Sequence, residues 1–204
     1  MENTGKCYIV GAGENFGLNF NPKENDYVIA ADAGYRYLEQ AGITPDMVVG
    51  DFDTLKYVPD HPNIVQLKPE KDITDTWEAV TKGFEKGYKE FHLYACMGGR
   101  VEHSIANFQL LSHIAEEGGR GYLYDDRSIL TVIKDSEIVF EARKKGFISV
   151  FSLTDNSIGV DICGLKYEVN NAELTNSFPL GVSNEFIGKP SKISVKNGTL
   201  LIVY

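Results

Sequence analysis

Apolar and polar positions along the first 125 residues alternate between two patterns. Short runs rich in β-branched and aromatic residues stand at 6–10 (KCYIV), 27–31 (YVIAA), 47–50 (MVVG), 63–67 (NIVQL), 91–95 (FHLYA) and 121–124 (GYLY), and they read as strands. Segments of helical spacing lie between several of them. The pattern predicts a helix over 33–41 that stops at Gly42, ahead of Pro45, and another over 74–86 with Thr74 as N-cap and Gly87 as its end. A third is expected from about 102 to 117, where Ile105, Phe108, Leu111, Ile114 and Ala115 recur at helical spacing before Gly118-Gly119. Strands that alternate with helices build crossover units, so residues 1–125 are expected to form an α/β domain on a mostly parallel, Rossmann-like sheet with flanking helices.

After residue 125 the helical spacing disappears. Short β-type runs at 128–133, 136–141, 146–152, 158–162, 165–169, 191–195 and 199–203 are separated by turn residues, which predicts an all-β sandwich over 126–204. The boundary is placed within the polar Asp125-Asp126-Arg127. Turns are expected at Lys134-Asp135, Asp155-Asn156 and Asn197-Gly198, the last of which carries the strongest hairpin signal in the chain.

The sequence has 204 residues, 43% of them apolar, enough to bury the cores of two small domains and to exclude disorder. No stretch approaches the ~18 consecutive apolar residues of a membrane span, and the first residues lack a basic start followed by an apolar segment. A soluble, unexported, cytoplasmic protein with no membrane partner is the expectation. Cys7, Cys96 and Cys163 are odd in number, far apart and without a CxxC pair, which suggests neither a disulfide framework nor a thiolate zinc site. Buried free thiols in a reducing cytosol are expected. The net charge is −9, and all of the excess lies early: residues 1–125 hold 11 Lys/Arg against 20 Asp/Glu, residues 126–204 hold 9 of each. A nucleic-acid binder needs a cationic surface to displace counterions, so that class is excluded, and carboxylate clusters able to hold a divalent cation become the features to seek.

Four clusters that could carry chemistry stand out, two of them carboxylate-bearing, each after a predicted strand, where ligands of open α/β sheets bind. Gly11-Ala12-Gly13 with Gly17 reads GxGxxxG, which misses the dinucleotide fingerprint, although Asp32 ends the next strand where a ribose-binding acid would stand. In Gly50-Asp51-Phe52-Asp53, two aspartates two apart on extended backbone would face the same way and could approach one Mg²⁺. Lys71-Asp72-Ile73-Thr74-Asp75 follows NIVQL; Thr74 and Asp75 suit a helix start, which leaves Lys71 and Asp72 for other work. Gly98-Gly99-Arg100-Val101-Glu102-His103 opens a helix, with free N–H groups and an Arg fork for a phosphate, and His103 and Asn107 share one helical face. Two carboxylate clusters with a lysine between them, facing a phosphate loop, are the parts of a phosphoryl-transfer site.

The ordered set Ala31-Asp32, Pro45-Asp46, Gly50-Asp51-Phe52-Asp53, Lys71-Asp72-Ile73-Thr74-Asp75, Gly98-Gly99-Arg100-Val101-Glu102-His103, Asn107, Gly164-Leu165-Lys166-Tyr167 and Ser183-Asn184-Glu185 resembles the thiamine pyrophosphokinase family over essentially the whole chain. The resemblance implies transfer of diphosphate from ATP to thiamine with release of AMP. It further implies a catalytic α/β domain, a thiamine-binding and dimerising β-sandwich, and a homodimer with thiamine between subunits. It makes Asp51, Asp53 and Asp75 the Mg²⁺ carboxylates, with Asp72 and Arg100 beside them in catalysis. Asp32, Lys71, Arg100, His103 and Asn107 are assigned to ATP; Glu102, Tyr167, Ser183 and Asn184 to thiamine, with Ser183-Asn184 in a loop that closes from the partner subunit. Two positions depart from the family pattern: Glu102 stands where Asp is usual and Thr54 where Ser is usual. The rival readings are a pyrophosphokinase for another hydroxymethyl heterocycle, such as a pterin, and a non-catalytic thiamine- or nucleotide-binding regulator. The second domain speaks against the first, the retained carboxylates against the second.

Overall fold

The computed structural model describes residues 3–68, 70 and 72–204, and divides the chain into two compact units, Met1–Arg127 and Ser128–Tyr204. In the first unit, strands β1 (Lys6–Val10), β2 (Tyr27–Ala31), β3 (Met47–Gly50), β4 (Ile64–Gln66), β5 (Glu90–Tyr94) and β6 (Arg120–Tyr124) are joined by parallel pairings in the order β6-β5-β1-β2-β3-β4. The chain thus builds outward from β1 to one edge, then returns to β5 on the other side. That reversal opens a crevice beyond the carboxyl ends of the central strands.

Three helices lie on this sheet: α1 (Gly34–Gln40), α2 (Asp75–Glu85) and α3 (Val101–Glu116). Thr74 caps α2 by accepting the Trp77 N–H at 3.2 Å, as its residue type predicts. The regular strand–helix alternation expected of a Rossmann-like sheet is not kept, because the β1–β2 and β3–β4 connections, residues 11–26 and 51–63, contain no helix. The core of one face is formed by Tyr8, Val10, Val28, Ala30, Val48 and Leu38, and Phe52 and Leu55 of the β3–β4 connection pack into it. This burial anchors the connection that carries Asp51 and Asp53.

The second unit is all antiparallel. Strands β7 (Ile129–Lys134), β9 (Phe147–Ser152), β12 (Gly181–Glu185) and β14 (Thr199–Val203) pair in the order β12-β9-β14-β7, and β8 (Glu137–Phe140), β10 (Asn156–Cys163), β11 (Val169–Thr175) and β13 (Ser191–Ser194) in the order β11-β10-β13-β8. Ile148, Val150, Leu200 and Ile202 from the first set and Val160, Ile162, Leu174 and Ile193 from the second share one core, which makes a sandwich.

Three expectations are corrected here. Asn197-Gly198 does not close a hairpin: β13 pairs with β8 and β10, β14 with β7 and β9, so the turn carries the chain from one sheet to the other. The turns at Lys134-Asp135 and Asp155-Asn156 also switch sheets. Two of these crossings brace each other, since Gly198 N–H donates to Asp135 Oδ1 at 2.7 Å and Asp135 N–H to the Gly198 carbonyl at 3.1 Å. The strand expected at 165–169 instead begins at Val169, and Ser183-Asn184, expected in a loop, lie within β12.

The third correction concerns the thiols. Cys7 and Cys96 are buried but Cys163 is exposed. Burial pushes the Cys96 thiol up to about 12 and raises that of Cys7 as well. A disulfide-exchange reagent should therefore titrate one thiol rapidly in the native protein and all three after denaturation. Loss of the fast phase in Cys163→Ser would confirm the assignment; rapid reaction of two or more native thiols would contradict it.

Candidate active site beyond the carboxyl ends of the parallel strands

Asp32 follows β2 directly, and Asp51 and Asp53 follow β3. Asp32 is 4% exposed, with φ 48°, and its N–H donates to the Val49 carbonyl at 2.8 Å. Gly50 permits this approach: a Cβ there would stand 3.1 Å from the Asp32 Cα, tighter than ordinary contact. The loop after Gly50 is not the extended backbone that the sequence suggests. Phe52 adopts φ 62°, which turns its ring into the core, where it is 3% exposed. Left-handed backbone costs a non-glycine residue about 1–2 kcal/mol, and burial of a Phe side chain contributes about 1.5–3 kcal/mol, so packing holds the turn. With Phe52 directed inward, Asp51 and Asp53 remain on the outer side. Asp51 Oδ1 accepts the Asp53 N–H at 3.2 Å, and Asp53 Oδ1 accepts the Thr54 hydroxyl at 2.9 Å.

Asp32, Asp51 and Asp53 each offer an oxygen, all within 4.8 Å of one another. Among the described residues Asp32 Oδ1, a buried atom, has no hydrogen-bond partner. An all-oxygen, trianionic set with such an atom fits a hard divalent cation such as Mg²⁺.

The carboxylates line one wall of a cavity of about 750 Å³. The start of α2 contributes Thr74 and Asp75, and the β5–α3 loop contributes Gly98, Gly99 and Arg100. Gly98 and Gly99 take φ 79° and 64°, consecutive left-handed positions that bring the loop to the N-terminus of α3, where backbone N–H groups favour an anion. His103 and Asn107 line the cavity from α3. Asn107 is 5% exposed and donates from Nδ2 to the Cys96 carbonyl at 2.6 Å, which ties the helix to the end of β5.

The structure thus brings Asp32, Asp51, Asp53, Asp75, Arg100, His103 and Asn107 to one cavity. Asp72 and Glu102 are exposed and are not among its described lining residues, and Lys71 lies outside the described residues. Glu102 accepts from Arg100 Nε at 2.7 Å, and this contact holds its carboxyl below the usual range. Asp32, read from the sequence as an ATP ligand, is the residue grouped with Asp51 and Asp53, whereas Asp75 faces the same space from α2. Tyr167, Ser183 and Asn184 belong to the second unit. Tyr167 is 59% exposed, with the Lys166 ammonium 5.4 Å from its ring centre.

Glu14, Tyr37 and Thr76 line the cavity without having been singled out in the sequence. Glu14 reaches the cavity because residues 11–14 run beside 94–97: Gly11, Gly13 and Glu14 donate their N–H groups to the carbonyls of Tyr94, Ala95 and Met97 at 2.7–2.8 Å. These amides are spent on backbone and are not free for a phosphate. Tyr37 of α1 donates its hydroxyl to the Gly13 carbonyl at 3.0 Å. None of the three has a sequence signal that separates it from its neighbours.

Comparison with known proteins places these features in a family. Residues 21–123 match the model described as "Thiamin pyrophosphokinase, catalytic domain", and residues 135–200 match "Thiamin pyrophosphokinase, vitamin B1 binding domain". The chain is 27% identical over 187 residues to a thiamine pyrophosphokinase of Bacillus subtilis (strain 168), covering 88% of this chain and 87% of that one. It is also similar to the crystal structure of thiamine pyrophosphokinase from Bacillus subtilis, with a TM-score of 0.85, 26% identity and 97% of each chain covered. The thiamin pyrophosphokinase from Candida albicans shares the fold at a TM-score of 0.77 and 13% identity, over 98% of this chain and 88% of that one.

Proposed function

The chain belongs to the thiamin pyrophosphokinase family, and from its site we infer how its residues divide the reaction between them. The protein is a thiamine diphosphokinase: it transfers diphosphate from ATP to the hydroxyl of thiamine, leaving AMP. The observation that carries the assignment of roles is the cavity in which three carboxylates, one with a buried oxygen that has no partner among the described residues, face the glycine loop and the N-terminus of α3.

We propose that Asp32, Asp51 and Asp53 hold Mg²⁺, with Asp75 completing the acidic wall. When bound, the cation supplies charge neutralisation and alignment of the phosphate chain. The loop 98–100 and the α3 N-terminus receive phosphate oxygens, and the exposed Arg100 guanidinium offsets charge as AMP departs. The thiamine hydroxyl attacks the β-phosphorus in line, its oxygen forms the new P–O bond, the bond to the AMP oxygen breaks, and the hydroxyl proton leaves to a nearby acceptor. Lys71, Asp72, His103 and Asn107 are assigned to the nucleotide side. Glu102, Tyr167, Ser183 and Asn184 are assigned to the acceptor, the last three within the stretch matched by the vitamin B1 binding model. A homodimer that joins the first unit of one subunit to the second unit of its partner would complete each site. ATP as donor points to a cytoplasmic enzyme.

Incubation with ATP and thiamine tests the reading. Thiamine diphosphate and AMP should appear in equal amounts, only with a divalent cation, and chelation should stop both. Formation of ADP and thiamine monophosphate would contradict the proposed attack at the β-phosphorus.

A further inference from the structure

We infer that Asn184 is a positioning residue, whose side-chain amide fixes the main chain of Tyr167 and whose effect on thiamine binding runs through that ring. The inference rests on the reading of Tyr167 as one wall of the acceptor pocket. Its starting point is a break in β12. The register of β12 on β9 shifts between Gly181 and Asn184, and Ser183 takes φ 59°, so the strand bulges there. A bulge re-aims the side chain that follows it. Val182 and Ser183 are exposed, whereas Asn184 is 5% exposed, directed into the protein.

Its amide is almost fully occupied there. Nδ2 donates to the Tyr167 carbonyl at 2.6 Å, and Oδ1 accepts the N–H of Tyr167 at 3.0 Å and that of Glu185 at 2.8 Å. An Asn side chain offers two donor hydrogens and two acceptor lone pairs, so three of its four positions are spent on main chain, two of them on a single residue. Both backbone polar groups of Tyr167 are held by one side chain. Neighbouring contacts extend the attachment: Lys166 N–H donates to the Glu185 carbonyl at 3.0 Å, the Lys166 ammonium pairs with the Glu185 carboxylate, and Leu165 bridges to Phe186. An exposed ring has few packing contacts of its own. Its direction is therefore set by the backbone that carries it, and Asn184 fixes that backbone before any ligand arrives.

Steady-state kinetics of Tyr167→Ala, Asn184→Ala, Asn184→Asp and the Tyr167→Ala/Asn184→Ala pair tests this in the intact enzyme. Tyr167→Ala and Asn184→Ala should each raise the KM for thiamine by roughly tenfold, with the KM for ATP nearly unchanged. The paired variant should be no worse than Tyr167→Ala alone, because nothing remains for Asn184 to orient. Asn184→Asp keeps the acceptor oxygen for the two N–H groups but sets a carboxylate oxygen against the Tyr167 carbonyl, so it should raise the thiamine KM even if the alanine variant fails to fold. Multiplying defects in the paired variant, or Asn184 variants with normal thiamine KM beside a defective Tyr167→Ala, overturn the inference and leave the acceptor reading standing. A normal thiamine KM in Tyr167→Ala overturns the placement of Tyr167, and the inference with it.

Discussion

Asp53→Asn is expected to fold normally and to form thiamine diphosphate roughly 10²–10³-fold more slowly than the parent enzyme. Asp53 is exposed, so the exchange removes one charge and opens no cavity. The effect on metal-free stability should be small and favourable, because three carboxylates with oxygens within 4.8 Å of one another repel when no cation balances them. Thermal unfolding separates the two consequences. In chelator, Asp53→Asn should melt at or slightly above the parent; on addition of Mg²⁺ the parent should gain stability by mass action, and the variant much less. Adding Asp32→Asn or Asp51→Asn to the same chain should cost little further turnover, since groups that share one task fail together. Wild-type turnover at saturating Mg²⁺, or an undiminished Mg²⁺-dependent rise in melting temperature, would remove the carboxylate assignment.

The second large effect is complementation between two defective chains. Tyr167→Ala and Asp53→Asn lie in different units of the chain; at low thiamine the first should keep about a tenth of parental activity and the second far less. If every site joins the first unit of one subunit to the second unit of its partner, a mixed dimer has one site with both defects and one with neither. Random reassortment makes half of the dimers mixed, each with one intact site of two, so refolding the chains together should restore about a quarter of parental activity. Absence of recovery in verified mixed dimers would place both residues of a site within one chain.

What could be read in the sequence follows physical locality. Asp51, Asp53 and Arg100 were legible because each sits in a short polar cluster immediately after an apolar run, and strand ends are where ligands meet parallel sheets. The grouping of Asp32 with Asp51 was not, because it depends on the pairing of Ala31 with Val49 across β2 and β3, a contact between residues 18 apart that no local pattern announces. Glu14 and Tyr37 reach the cavity through similarly non-local bonds. The same distinction governs the second unit. GVSNE holds few good strand formers, so β12 exists through its pairing with β9 rather than through propensity. Asn197-Gly198 is a turn, as its residues require, but a turn signal does not say whether the following strand folds back on its predecessor or crosses to the facing sheet.

The position of β14 bears on how the second unit can be made. Residues 199–203 form the strand between β7 and β9, and both neighbours precede it in the chain. A polypeptide that leaves the ribosome from its N-terminus has the whole β7–β13 region synthesised before the strand that unites β9 with β7 exists. Until then β7 and β9 lack their common partner, and the apolar side chains of Ile148 and Val150 have no closed core to enter. The insertion of β14 between β7 and β9 is therefore the step that closes this unit, whereas the parallel sheet of the first unit is complete in sequence at Tyr124.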